Sequence, residues 1–355
     1  MRVCYLLAYK DPDYIRTRNL VQALQSMDGV ELCIAKSRSS GPTRYLETLR
    51  QVFHIERTWH PDFYLVGFRG HELYPLLRSF LPGERIIFDN MMSPTLSLLE
   101  ERGLGAARRK LVSSTIARIE RWILHDAAAV LTDTSAHIDA FKEHFQLQHQ
   151  QLEAIPVAAD ETFQAASPLP PGKRTVLFYG SFLPLHGATY ILNALRRLSL
   201  PGVTFHFVGG SNSDSSDIAR LRSENTAIEV RHDRHIPFDT LIGKHLAQAW
   251  LCLGGPFGGT PQAKRVVTGK TAQALAMAVP TMVGESPAAC GLIDRKNCLA
   301  VPQRDADGIA ASIKWAYHNP TALAEIGNAG QAHYREHLSM SRVKDSLGSL
   351  LRRLS

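Results

Sequence analysis

Three positive charges, Lys264, Arg265 and Lys270, stand ahead of and at the start of an alanine-rich helical segment, AKRVVTGKTAQALAMAVP (residues 263–280). Cations and a helix N-terminus aimed at one point form a cradle for a diphosphate, because free N–H groups and the helix dipole favour an anion there. The glycine-rich GGPFGGT precedes them, and Thr268-Gly269 opens the helix. TVLFYGSFLPLHG (175–187) repeats the theme: an apolar strand runs into Gly180-Ser181, and then into His186-Gly187. Small residues let backbone N–H groups approach an oxyanion, and His186 can donate to a phosphate or a sugar hydroxyl. FHFVGGSNSDSSD (205–217) ends a strand in Gly209-Gly210, with Asp214 or Ser215 placed to cap the next helix and Ser211–Ser216 reading as a surface loop. Any one of these loops also suits an ordinary strand–turn–helix. Three of them, after separate strands of one sheet, suit an anion site.

The first half offers polar residues at strand ends. Asp89 and Asn90 close RIIFDN and make Asp89 a catalytic candidate; Asp133 and Thr134 follow AAAVLT, with His137 one turn on. Each is also an ordinary cap or turn residue. Asp11-Pro12-Asp13 resembles a D-x-D but reads as turn chemistry, and no carboxylate pattern argues for a metal.

These residues need a scaffold. Short β-rich apolar runs at Val3–Ala8, Val30–Ala35, Phe63–Val66, Arg85–Phe88, Ala128–Thr132 and Leu152–Pro156 alternate with helical patterns, including Tyr14–Met27 and Gly105–His125. A second series follows at Thr175–Tyr179, Val203–Val208, Ala227–Arg231, Trp250–Leu253, Thr281–Val283 and Cys298–Val301. Such alternation argues for βαβ units and parallel sheets. Pro168, Pro170, Pro171 and Gly172 mark a linker, so the expected domains are 1–160 and 175–335, joined by 161–174 and followed by a helix over 336–355. Ligands of such paired α/β domains bind in the cleft at the carboxyl ends of the strands.

Composition fits this plan. The 355 residues are 45% hydrophobic and 21% charged, which describes a folded globular chain. Residues 1–165 hold 19 Lys/Arg against 20 Asp/Glu, whereas 166–355 hold 21 against 13, so an anionic ligand is expected on the second half. No block of basic residues interleaved with aromatics argues for nucleic acid. The start, MRVCYLLAYKDPDY, breaks into charge after a few apolar residues and reads as a first strand, not as a signal peptide or anchor. Five cysteines without C-x-x-C spacing suit reduced thiols in the cytoplasm. Arg108, Arg109, Lys110, Arg118 and Arg121 give one long helix a basic face, which suits either solvent or peripheral contact with the inner face of a membrane.

The second half resembles the donor-binding domain of glycosyltransferases of GT-B architecture, in particular the retaining family 4 group. The resemblance rests on G-x-F-x-P-L-H-G (Gly180–Gly187), F-V-G-G, K-R-V-V-x-x-K-x-x-x-A-L-A-M-x-x-P and SPAACGLIDRKNCLAVP (286–302). In the first half, RIERWILHDAAAVLTDTSAHIDAFKEHF resembles the last helix, strand and helix of the acceptor domain, and AIPVAADETF the crossover P-x-G-x-D. The resemblance implies two Rossmann-like domains facing across a cleft, with C-terminal helices crossing back onto the first. It implies a hexosyltransferase that moves a sugar from a nucleotide diphospho-sugar to a glycan or lipid-linked acceptor in polysaccharide biosynthesis, without a further cofactor or metal. Gly180, Ser181, His186, Gly187, Gly209 and Thr268 would line the donor. Lys264, Arg265 and Lys270 would neutralise the leaving diphosphate, and Asp133, Thr134 and His137 would lie on the acceptor side. Many relatives carry two glutamates eight positions apart, for donor sugar and ribose; here Arg265 and Gln273 occupy those positions. Gln273 keeps an acceptor for a ribose hydroxyl, whereas Arg265 suits a phosphate or a sugar carboxylate. These departures keep a second reading open, a weakly active or inactive nucleotide-sugar-binding partner of an active transferase. An epimerase would need acidic residues to move a proton, and the basic surroundings of Arg265 run against it.

Overall fold

The alternating apolar runs close into two six-stranded parallel sheets. The computed structural model of the chain describes residues 1–7, 14–37, 41, 43–100, 106–147, 152–165, 174–289 and 291–355, and the backbone alone at 98–100 and 106–113. Asp11-Pro12-Asp13, the Pro168–Gly172 stretch, Cys290 and the side chains of Arg108, Arg109 and Lys110 lie outside the described residues. The chain forms two compact units, Met1–Val157 with Met340–Ser355, and Ala158–Ser339.

The first unit holds β1 (Arg2–Leu7), β2 (Glu31–Lys36), β3 (Phe63–Val66), β4 (Ile86–Asp89), β5 (Ala129–Thr132) and β6 (Leu152–Ala154), in the order β2-β1-β3-β4-β5-β6. Its central strands are buried on both faces, which is why they read as unbroken apolar runs. Cys4, Leu6, Tyr64, Val66, Phe88 and Val130 share one core with residues of the helices Thr43–Thr58, Tyr74–Leu77, Ala106–Asp126 and Ser135–Phe145. The alternate residues Val3, Tyr5, Leu65 and Ile87 are equally buried. The helices Ile15–Gln25 and Met340–Leu354 pack on each other and bury Leu20, Leu24, Val343 and Leu347. Val343, Ser346, Leu347, Leu350 and Leu351 make a helical stripe, and each fully buried leucine contributes about 1.5–3 kcal/mol.

The second unit holds β7 (Arg174–Gly180), β8 (Val203–Gly209), β9 (Glu229–Asp233), β10 (Leu251–Leu253), β11 (Thr281–Gly284) and β12 (Leu299–Val301), in the order β12-β11-β10-β7-β8-β9. Phe178, Phe205, Phe207 and Leu251 lie in one core, whereas Leu177, Val208, Cys252, Ala274 and Met277 lie in another. Among the described residues no helix is long and apolar enough to cross a membrane.

Candidate functional site

In the second sheet β8 and β9 lie to one side of β7, and the chain then returns to lay β10 on the other. The carboxyl ends of β7 and β10 are therefore a switch point, where diverging connections leave a crevice. Gly180 ends β7, and Gly254-Gly255 follow β10. The helix Gly269–Ala276 starts beside them, anchored by two threonines. Thr268 Oγ1 accepts from the Thr271 N–H at 3.2 Å and donates to the Gly254 carbonyl at 2.8 Å. Thr271 Oγ1 donates to the Gly255 carbonyl at 3.1 Å. A capped helix N-terminus is thus held against the loop after β10.

Lys270, on the first turn, is only 7% exposed. Its Nζ lies 5.4 Å from the centre of the Phe178 ring, and among the described residues it has no carboxylate partner. The ring face returns part of the lost hydration. Burial, opposed only by the Cys252 thiol, still brings the Lys270 pKa down to about 8. His186 is its neighbour: a Cβ built on Gly180 would stand 3.6 Å from the His186 ring and 3.8 Å from Lys270 Cε. Burial, and then the Lys270 charge, pull the His186 pKa down to about 3, so the imidazole is neutral. Among the described residues its buried Nδ1 has no hydrogen-bond partner.

Glycine is required at the strand ends. Gly180 has φ +133° and Gly209 φ +103°, conformations that L side chains rarely adopt. A Cβ at Gly209 would collide with the Gly180 carbonyl, which accepts from the Gly210 N–H at 3.0 Å. The structure therefore brings together Gly180, Gly209, His186, Thr268 and Lys270. A buried cation and a buried imidazole nitrogen, both without a partner among the described residues, and a helix N-terminus around one glycine are complementary to an anion.

The other second-half candidates lie around this point. Gly187, with φ +70°, packs on Phe257 and Gly258, and Ser181 is exposed beside Gly180. The turn Pro184–His186 packs on the turn Gln262–Lys264, where Lys264 is exposed; Arg265 follows it half-buried. Gln273 is placed differently from its expected ribose contact. Its Oε1 accepts from the Asp160 N–H at 2.9 Å and its Nε2 donates to the Asp160 carbonyl at 3.0 Å, so the amide clasps one residue of the crossover segment. Gln273→Glu is expected to lower stability by about 1–3 kcal/mol, because a carboxylate keeps the acceptor but sets a negative oxygen against the Asp160 carbonyl. Urea unfolding of the ligand-free protein measures this; an unchanged midpoint would mean that the clasp is dispensable.

In the first unit the structure corrects one expectation. Asp89 and Arg16 are both fully buried: Arg16 Nε lies 3.2 Å from both Asp89 carboxylate oxygens and Nη2 lies 3.0 Å from Oδ1. Arg16 also donates to the carbonyls of Ile155 at 2.5 Å and Thr132 at 3.2 Å. Burial alone would lower the Arg16 pKa, but Asp89 reverses this and holds the guanidinium above its ordinary value. Asp89 is thus the counter-ion of a staple tying β4 to the ends of β5 and β6, not a group open to substrate. Asp133 and His137 satisfy one another, Nδ1 to Oδ1 at 2.5 Å, and Thr134 caps the helix Ser135–Phe145 by accepting from the His137 N–H at 3.2 Å.

A polar chain beside them joins the strand-end Asn90 to His71 and Glu120, two residues that carry no signal in the sequence. His71 Nε2 lies 3.1 Å from Asn90 Oδ1, Asn90 Nδ2 donates to Glu120 at 2.9 Å, and Glu120 also accepts from the Thr95 N–H at 3.0 Å. Glu120 sits within a helix whose pattern reads as solvated; only its burial reveals it. Among the described residues no group of three or more His, Cys, Asp or Glu is arranged to hold a metal ion.

No family model matches the sequence, and no curated protein is similar to it in sequence. Solved structures are similar along its whole length. Sucrose-phosphate synthase from Thermosynechococcus elongatus aligns over 100% of this chain and 99% of its own, with a TM-score of 0.75 and 16% identity. Anabaena HepE in complex with UDP-glucose aligns over 99% of this chain and 100% of its own, with a TM-score of 0.70 and 15% identity. Trehalose 6-phosphate synthase from Burkholderia multivorans aligns over 99% of this chain and 98% of its own, with a TM-score of 0.64 and 13% identity. These are GT-B glycosyltransferases, and the chain has the GT-B fold.

Proposed function

We propose that the protein is a glycosyltransferase that moves a hexose from a nucleotide diphospho-sugar to a glycan or lipid-linked acceptor. The observation that carries this reading is Lys270, a buried cation without a counter-ion among the described residues, beside His186, Gly180 and a capped helix N-terminus. A diphosphate supplies the missing anion. As the bond from the anomeric carbon to the diphosphate oxygen breaks, negative charge grows on the leaving group, where a preorganised cation and N–H groups stabilise it most. The acceptor hydroxyl oxygen forms the new bond on the same face, and its proton passes to the departing phosphate oxygen, so the anomeric configuration is retained. Positive charge comes from Lys270, with Arg265 and Lys264 nearby, and no step calls for a metal. Because HepE was solved with UDP-glucose, uridine nucleotides are the first donors to try.

Incubation with UDP-, GDP-, ADP- and dTDP-sugars and an oligosaccharide or polyprenyl-phosphate acceptor tests the reading. Acceptor-dependent release of one nucleoside diphosphate is the expected result. The Gln273 clasp on Asp160 favours the second reading, a binding partner without activity, because it occupies the group expected to hold the ribose. Tight donor binding with neither hydrolysis nor transfer would select it.

The Lys270 pKa sets a pH dependence. Its folded value of about 8 lies below that of an unfolded lysine, roughly 10.4. Between the two the unfolded chain holds more protons, so the ligand-free protein gains stability as pH rises through this window and loses it as pH falls through about 8. An anionic ligand favours the charged lysine, so its affinity should be flat below that pH and fall about tenfold per unit above it. Calorimetry on either side of pH 8 checks this, and equal affinity throughout would remove Lys270 from the site.

A further inference from the structure

The polar chain at the carboxyl ends of β3 and β4 is a built cluster that the transferase reading leaves without a role. Asn90 follows β4, and its own N–H donates to the Leu131 carbonyl at 2.9 Å. Its side-chain amide has one consistent orientation: Nδ2 donates to the Glu120 carboxylate at 2.9 Å, so Oδ1 faces His71 Nε2 at 3.1 Å. An amide oxygen only accepts, so His71 Nε2 carries the proton and, in the neutral ring, Nδ1 holds a bare lone pair. Edge-on contact with Phe88, ring centres 4.9 Å apart, holds the imidazole from the side. Burial keeps the His71 pKa below its ordinary value, although Glu120, Glu72 and the bond to Asn90 oppose this; the Arg69 charge acts with burial. The ring is therefore neutral near pH 7.

Two groups of the cluster are left over. His71 is half-buried, and among the described residues its Nδ1 has no hydrogen-bond partner. Thr95 is 1% exposed; its N–H donates to Glu120 at 3.0 Å, but its hydroxyl has no partner among the described residues. Buried polar atoms are ordinarily satisfied, and a pre-oriented lone pair and an idle hydroxyl in one cluster are what a ligand hydroxyl completes. Charge restricts the ligand further. Glu120 is fully buried and has no cation partner among the described residues. Its field disfavours a phosphate here and favours a neutral group that donates hydrogen bonds.

We infer that this cluster holds a sugar hydroxyl of the acceptor, with His71 Nδ1 accepting its hydrogen bond, Thr95 Oγ1 as a second contact, and Asn90 and Glu120 as positioning residues. The inference rests on the transferase reading and narrows its acceptor to one that presents a neutral sugar ring to the first unit. The hydroxyl held is one that does not react, since the reacting one gives its proton to the departing phosphate.

Proton–nitrogen correlation spectra of the isotope-labelled full chain test it, with the ring signals of His71 assigned through His71→Phe. The ligand-free spectrum should show a neutral ring protonated on Nε2. Titration with the methyl glycosides of glucose, galactose, mannose and N-acetylglucosamine should move the Nδ1 signal with at least one of them, and titration with dimethylallyl phosphate should not. His71→Phe and Thr95→Val should each weaken that glycoside about 3- to 10-fold, the worth of one neutral hydrogen bond. Thr95→Val removes an unpartnered hydroxyl and keeps the N–H to Glu120, so the ligand-free melting temperature should hold or rise, whereas loss of a purely structural threonine would lower it. UDP affinity should be unchanged in both variants. No shift with any glycoside, a shift with dimethylallyl phosphate alone, or a proton on Nδ1 would overturn the inference. A glycoside that moves His71 in a chain that binds no nucleotide would instead overturn the transferase reading and leave a sugar site in the first unit.

Discussion

Lys270→Met is expected to cut nucleoside diphosphate affinity by about 10- to 150-fold, the worth of a hydrogen bond to a charged group, and the transfer rate by about 10²–10³-fold. The ligand-free protein should be as stable as before, or more so. These opposite effects follow from one fact: the ammonium is buried over Phe178 with no counter-ion among the described residues. Holding a charge there costs free energy until an anion arrives, and methionine fills a similar volume without that cost. Urea unfolding and calorimetry on the same sample read both effects. A structural lysine would behave differently, because its loss would lower stability and leave binding untouched.

Arg16→Met should destabilise the first unit by about 3–5 kcal/mol, because it strands the fully buried Asp89 carboxylate and frees the carbonyls of Ile155 and Thr132. Pairing it with Asp89→Leu should recover most of that loss, since an apolar pair of similar volume is often as stable as a buried ion pair. Hydrogen exchange at the β4 and β5 amides measures both variants. A cost below about 1 kcal/mol for the single substitution would be that of a solvated pair. It would return Asp89 to the candidates for contact with substrate.

These two residues also show what could be read from the sequence. The twelve expected strands all form, with only their ends shifted by a residue or two; the central ones announced themselves because strands buried on both faces must be apolar throughout, whereas the edge strands β2, β6 and β9 are only partly buried. Gly180, Gly209 and Lys270 were legible for a related reason: loops after parallel strands converge at the carboxyl edge of the sheet, so residues far apart in sequence share one place. Side-chain partners were not legible. Asp89 looked like a strand-end carboxylate facing a ligand, and nothing local ties it to Arg16, 73 positions away on a helix where an arginine ordinarily faces water. Gln273 reaches Asp160 across 113 positions, a contact set by how the crossover segment meets the helix and not by either segment's pattern. Glu120 looked solvated because its neighbours on the helix are charged, although the side chain turns inward to Asn90 and Thr95.

The central claim is that the β7–β10 switch point binds a diphosphate. Calorimetric titration of the wild-type chain and of Lys270→Met with UDP, GDP, ADP and dTDP, below pH 8, tests it most directly. Saturable single-site binding of one nucleoside diphosphate, displaced by its nucleotide sugar and greatly weakened in Lys270→Met, is the expected result. Absence of heat and of thermal stabilisation with all four, or equal binding by both proteins, would contradict the claim.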